Sequence, residues 1–168
     1  KQSLVKQVTK LNSIVFYQKL GSLYDKTQRV RQLSSFIADT IGANKADTEI
    51  AASISKSDLV SDLVGEYPEL QGIIGSYFAM EQGFSREISN AIQNHYLPLG
   101  PTGNVPKEKI SISVAIADKI DNLIGFFNLS ISSGFSSRKG SKVLLFFPAV
   151  CTRLSIPIFF INSFNPKD

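Results

Sequence analysis

Asp25-Lys-Thr-Gln-Arg-Val-Arg-Gln-Leu-Ser-Ser-Phe-Ile-Ala-Asp-Thr-Ile-Gly42 decides the fold class. Val30, Leu33, Ile37 and Ile41 recur at spacings of three and four, which puts them on one face of a helix. Asp25 suits the start of that helix, and Gly42 stands where a left-handed C-terminal cap is wanted. The pattern repeats on either side. Leu4, Val8, Leu11 and Val15 predict a first helix, interrupted at Gly21. A third helix is expected from Asp47 past Ile54, Leu59 and Leu63 to about Glu66. Pro68 fits the first turn of a fourth, where its missing N–H has no helical partner to lose. Gly83 ends that helix, and Ser85 can cap a fifth carrying Ile88, Ile92 and Tyr96. Leu97 to Pro106 holds three prolines and two glycines and reads as a loop. The sixth helix, about Lys107 to Phe127, carries Ile110, Val114, Ala117, Asp121 and Ile124 on one side. No strand-type alternation is visible before Phe127. Residues 1–127 are therefore expected to be all-α.

Composition bounds the function. The 168 residues are 43% apolar and 19% charged, a globular balance. The first residue is Lys1 and no signal-like segment follows, so the chain is expected to be an internal piece of a longer protein. The lone cysteine, Cys151, excludes an internal disulfide and any multi-cysteine zinc site. The net charge of +4 is unevenly spread. Up to Phe127, 13 basic residues balance 13 acidic ones, and the surplus sits in Arg138, Lys139, Lys142, Arg153 and Lys167. The helical body thus lacks the basic stripe that phosphate binding calls for.

Residues 128–168 differ from the body: they hold eight serines and half of the twelve phenylalanines. Val143 to Ile161 is nearly all apolar but contains Pro148, Arg153 and Pro157. A buried guanidinium costs about 2.5–3.5 kcal/mol at the centre of a bilayer, so a membrane span is disfavoured.

Several runs carry a family resemblance. They are Lys19-Leu-Gly-Ser-Leu-Tyr-Asp-Lys26 with Arg29; Ser55-Lys-Ser-Asp-Leu59; Val64-Gly-Glu-Tyr-Pro-Glu-Leu-Gln-Gly72 with Gly75 and Tyr77; His95-Tyr-Leu-Pro98; and Ala115-Ile-Ala-Asp-Lys-Ile-Asp121 with Gly125-Phe-Phe127. In order and separation they resemble the β subunit of bacterial two-subunit glycyl-tRNA synthetase. The resemblance implies a part in joining glycine to tRNA(Gly) in the cytoplasm. ATP and Mg2+ would be used by an assembled enzyme of two α and two β subunits, with catalysis in the α subunit. tRNA would be contacted by other parts of the β subunit.

The Ala115–Asp121 run also resembles the last helix of HD-type phosphohydrolases, whose metal site uses histidines and aspartates. Ser57-Asp58 then stands where a His-Asp pair is expected, and His95 is the only histidine. The expectation is an HD-like helical bundle that has lost its chemistry. No residue is assigned as catalytic, cofactor-binding or metal-binding. Asp118 and Asp121 share a helical face and could hold a metal or pair with cations such as Lys119; ion pairing is the preferred reading. Gly72 and Gly75 are read as a packing groove rather than a ligand site, and His95 as a helix-end packing residue. The alternatives are a degenerate phosphohydrolase-like binding module and, on the tail alone, a membrane-tethered adaptor.

The tail suggests a frame error. The family continues from Gly-Ser-Lys, present here as Gly140-Ser-Lys142, with Asp-Pro-Phe-Ala-Leu-Arg-Arg and a small-residue run ending Ala-Leu-Gly. Codons permitted for Pro148-Ala-Val-Cys-Thr-Arg153, read one base later, spell Arg-Arg-Ser-Ala-Leu-Gly. Residues 128–168 are accordingly expected to be an irregular, out-of-frame tail and no native domain.

Overall fold

The computed structural model describes residues 3–17, 19–100 and 102–132, with the backbone alone over 128–132. Among these residues are seven helices: α1 (Leu4–Lys10), α2 (Leu23–Ile41), α3 (Lys45–Ile54), α4 (Asp62–Glu66), α5 (Ile73–Glu81), α6 (Arg86–Asn94) and α7 (Lys109–Ser132). The chain is mostly helical, as expected from the periodicity. One compact unit spans Lys1–Asp121 and includes α7 as far as Asp121; the remainder of α7 is described by itself. The expectations for the tail beyond Ser132, Cys151 included, lie outside the described residues.

The start of the chain corrects the reading. The first helix stops at Lys10, a 3-10 turn follows over Leu11–Ser13, and Val15–Tyr17 (β1) pairs antiparallel with Gly21–Ser22 (β2). Val15 is 68% exposed, so its spacing from Leu11 was not a helical core position. Val15, Phe16 and Tyr17 are β-branched or aromatic, and the hairpin is too short for alternation to be seen.

Helix α2 begins with a full capping box. Ser22 is the cap, its hydroxyl accepting from the Asp25 N–H at 3.2 Å while Asp25 Oδ2 accepts from the Ser22 N–H at 2.8 Å. Asp25 is thus the third helical residue and not the cap, the geometry of a Ser-x-x-acid box. At the other end Gly42 has φ 66°, the left-handed cap expected there. Helix α3 starts at Lys45, before the expected Asp47, is capped by Asn44 and stops at Ile54. The single long helix foreseen to Glu66 is instead α3, a 3-10 turn over Ser57–Val60, and α4. Ser61 caps α4 through the Val64 N–H, and such hydroxyls compete with a continuing helix. Pro68 opens a 3-10 turn rather than α5, which begins at Ile73. Ser85 caps α6 as read, and the Leu97–Pro106 stretch contains no helix or strand among its described residues.

The core gathers Leu4, Leu11, Val30, Leu33, Ala51, Ala52, Ala79, Ile88, Ile92 and Val114, each 4% exposed or less. Helix α2 packs on α3, α5 on α6, and α3 on α6. The polar residues buried with them form the site.

Candidate functional site

Lys26, at the start of α2, lies on the same stripe as Val30 and Leu33, so folding carries its ammonium inside; it is 3% exposed. A buried charge is tolerated only when paired. Asp118 and Asp121 of α7 supply the pair: Lys26 Nζ is 3.2 Å from Asp118 Oδ1 and 3.0 Å from Asp121 Oδ2. One turn along α2, Arg29 donates through Nε to Asp121 Oδ1 at 2.7 Å and through a terminal nitrogen to the Leu20 carbonyl. The third cation comes from the turn after α3, where Lys56 Nζ sits 3.2 Å from Asp118 Oδ1 and 3.9 Å above the centre of the Tyr96 ring. Both carboxylates of α7 are therefore engaged by the chain's own cations.

The ionisation states follow. Burial alone would raise Asp118, but the ammoniums of Lys56 and Lys26 outweigh it and hold the carboxyl at about 2. Burial lowers Lys56 to about 8, Asp118 opposing it and Lys26 adding to it. His95, the C-cap of α6, is fully buried; burial, with Lys56 nearby, lowers it to about 3, so the ring is neutral. Its Nδ1 bonds the Ile92 carbonyl as donor. This is the helix-end packing role read from the sequence.

Asp58 is buried as well, yet it is held differently. Its Oδ2 accepts the Gly72 N–H at 2.7 Å and the Gly75 N–H at 3.2 Å. Burial raises its pKa, only partly offset by those two bonds and by Lys56. The glycines are required twice over. Gly72 has φ 77°, and a Cβ on it would lie 3.1 Å from the Ile92 carbonyl oxygen. A Cβ on Gly75 would lie 2.9 Å from Ile92 Cγ2 and 3.0 Å from Asp58 Oδ2. The packing-groove reading fits this geometry, since the groove admits α6 and the carboxyl of Asp58.

The sequence reading placed Asp118 and Asp121 together, and they are together. It named the wrong cation. Lys119 points elsewhere, donating to the Tyr96 carbonyl at 3.1 Å and the Leu97 carbonyl at 2.6 Å, which fastens the start of the following loop. The missed partners were Lys26, Arg29 and Lys56. The signal was present in the first two: charged residues of α2, each four residues before an apolar position, Lys26 before Val30 and Arg29 before Leu33.

Chemically the arrangement is closed. A hydrolytic metal centre needs several imidazole or carboxylate ligands around one cation. Here an ammonium lies between the two α7 carboxylates, Ser57 stands beside Asp58, and no group of three or more potential ligands is placed to hold a metal among the described residues. These residues do not fit an HD-type metal.

The model of the family described as glycyl-tRNA synthetase beta subunit matches residues 1–136. Among curated proteins, the chain is 43% identical over 129 residues to the glycine–tRNA ligase beta subunit of Acinetobacter baumannii, covering 77% of this chain and 19% of that protein. It is 47% identical over 117 residues to that of Paracoccus denitrificans, covering 70% and 17%. It is 38% identical over 131 residues to that of Neisseria meningitidis serogroup C, covering 78% and 19%. The chain spans about a fifth of the length of these relatives.

Proposed function

The chain belongs to the family of glycyl-tRNA synthetase β subunits, and from that premise we propose that it is a scaffold segment of a glycine–tRNA ligase. The whole enzyme would join glycine to tRNA(Gly) at the expense of ATP and Mg2+, with the chemistry in the α subunit. The β subunit would pair with it in a cytoplasmic assembly of two α and two β chains. The observation that carries the scaffold reading is the buried cluster: the chain's own cations occupy both carboxylates of α7, leaving no open cation site between them. tRNA contact falls to other parts of the β subunit, in keeping with a charge-neutral body. Among the described residues no helix is long and apolar enough to cross a membrane.

Aminoacylation assays test this. The chain alone, or mixed with α subunit, is expected to charge no tRNA above the α-only background; a complete β subunit containing it restores charging. Charging by the chain with α subunit alone would refute the scaffold reading. The degenerate phosphohydrolase alternative requires nucleotide hydrolysis with Mn2+ or Mg2+, which the engaged carboxylates oppose. We also propose that the chain leaves the family's reading frame after residue 136, later than the 127/128 break in composition, a reading supported by that break and by a family match that ends at residue 136. The gene's nucleotide sequence over Pro148 to Arg153 decides it: codons that do not spell Arg-Arg-Ser-Ala-Leu-Gly one base later end the idea.

A further inference from the structure

Helix α5 is apolar on both sides. Gly75, Ser76 and Ala79 face the interior, while Ile73, Tyr77 and Met80, at spacings of four and three, are 38%, 59% and 48% exposed. In the segment before α5, Leu63 and Tyr67 are each 45% exposed. Leu63 lines a groove of about 460 Å³ together with Phe78 and Glu81 of α5, so α4 and α5 share one concave surface. An outward apolar stripe on a helix that already buries its other face marks a contact surface.

Charge narrows the occupant. From Ser57 through Ser85 there are five acidic residues and no Lys or Arg. One, Asp58, is buried; Asp62 and Glu81 line the groove beside α5, and Glu66 and Glu69 are exposed in the segment that leads to it. Lys10 of α1, at one rim of the groove, is the cation that lines it. Such a face repels a phosphate backbone and suits a protein surface with apolar side chains ringed by Lys and Arg.

Size narrows it again. A free-standing protein complex buries roughly 1,600 Å² in total, with about 20–30 residues a side, against the nine residues of α5. A covalently tethered partner needs less, because the tether sets an effective concentration in roughly the millimolar range. We propose that the α5 face is the surface on which the remainder of the β subunit docks, through a basic, apolar-centred patch. The proposal rests on the family reading above and on the chain's covering a fifth of its relatives.

Oxidative footprinting reads it directly, because Met80 is the only methionine and Tyr77 is a second reactive probe on the same stripe. The two samples are this chain alone and a full-length β subunit in which this chain replaces the matched stretch of the Acinetobacter baumannii relative. Oxidation of Met80 and Tyr77 is expected to be rapid in the first and at least tenfold slower in the second, without α subunit or tRNA. Tyr77→Lys, exposed in the chain alone, should restore Met80 oxidation in the full-length protein, and Tyr77→Phe should not. Should the graft not fold, adding the remainder of the relative's β subunit in trans gives the same readout. Equal oxidation in both samples, protection already present in the chain alone, or protection that requires α subunit or tRNA each overturns the proposal. Because the readout is oxidation and not charging, its failure is distinct from failure of the proposed function.

Discussion

Asp58 and Asp118 are both buried, 1% and 4% exposed, and their charges are handled in opposite ways. Asp118 faces two ammoniums and is held at about 2. Asp58 faces two backbone N–H groups from a glycine-built turn, and burial raises it above the usual carboxylate range. Burial is common to the two; the partner differs. Dipoles of backbone amides offset less of the desolvation than full charges do. The α7 side of the cluster is thus an ionic lock among α2, α7 and the turn after α3, while the Asp58 side is a polar pin between that turn and the start of α5. In each arrangement the carboxylate is held by partners within the chain.

The largest expected effect comes from breaking the lock. Asp121→Ala strands Lys26 and Arg29, 3% and 11% exposed in their side chains, and removing one partner of a buried ion pair costs about 3–5 kcal/mol. Urea unfolding of the chain is expected to show a loss of that size. Lys26→Met with Asp121→Leu should recover part of it, because only Arg29, which keeps the Leu20 carbonyl, then lacks its carboxylate.

Next comes a pair of matched substitutions. Asp118→Asn removes the counter-charge of Lys56 and shared Lys26, and should cost about 3 kcal/mol or more. Asp58→Asn keeps an oxygen for both glycine N–H groups and is expected to cost about 1 kcal/mol. Equal losses in the two unfolding curves would erase the distinction between lock and pin.

Gly75→Ala should cost about 1–3 kcal/mol, since its Cβ meets Ile92 and the Asp58 carboxyl at 2.9 and 3.0 Å. Gly65→Ala, whose Cβ meets nothing within 4 Å, is the control and should be neutral or stabilising.

The last effect is a slope with pH. His95 is lowered from 6.5 to about 3, so between those values the unfolded chain binds a proton that the folded chain refuses. Its contribution therefore falls as pH drops through that window, at up to roughly 1 kcal/mol per pH unit. His95→Gln is expected to flatten the limb between pH 6.5 and 4. Asp118 adds a separate loss below 3.8, as pH falls towards its folded value of about 2. Lys56 acts with the same sign at alkaline pH: with a folded value of about 8 against 10.5, its burial penalty is relieved as pH rises between them.

The helices were legible because their signals are local. Val30 and Leu33 mark a face, Gly42 a stop and Ser85 a start, and each is where the sequence put it. The break after Ile54 was not, because Ile54, Leu59 and Leu63 keep apolar residues coming while Ser57 and Ser61 turn the chain. Asp118 and Asp121 were legible as a pair by helical spacing, but their partners lie more than 60 residues away in sequence, and spacing within one helix cannot report them. Lys26 shows what could have been read: a lysine on an apolar stripe must find an anion, and Asp121 on the apolar row of α7 must find a cation.

Carboxyl-carbon NMR titration of the chain, with Asp58 and Asp118 assigned through Asn variants, tests the contrast most directly. Asp118 is expected to titrate at about 2, and Asp58 above 3.8. The two titrating together near 3.8, or in the reverse order, would contradict the account.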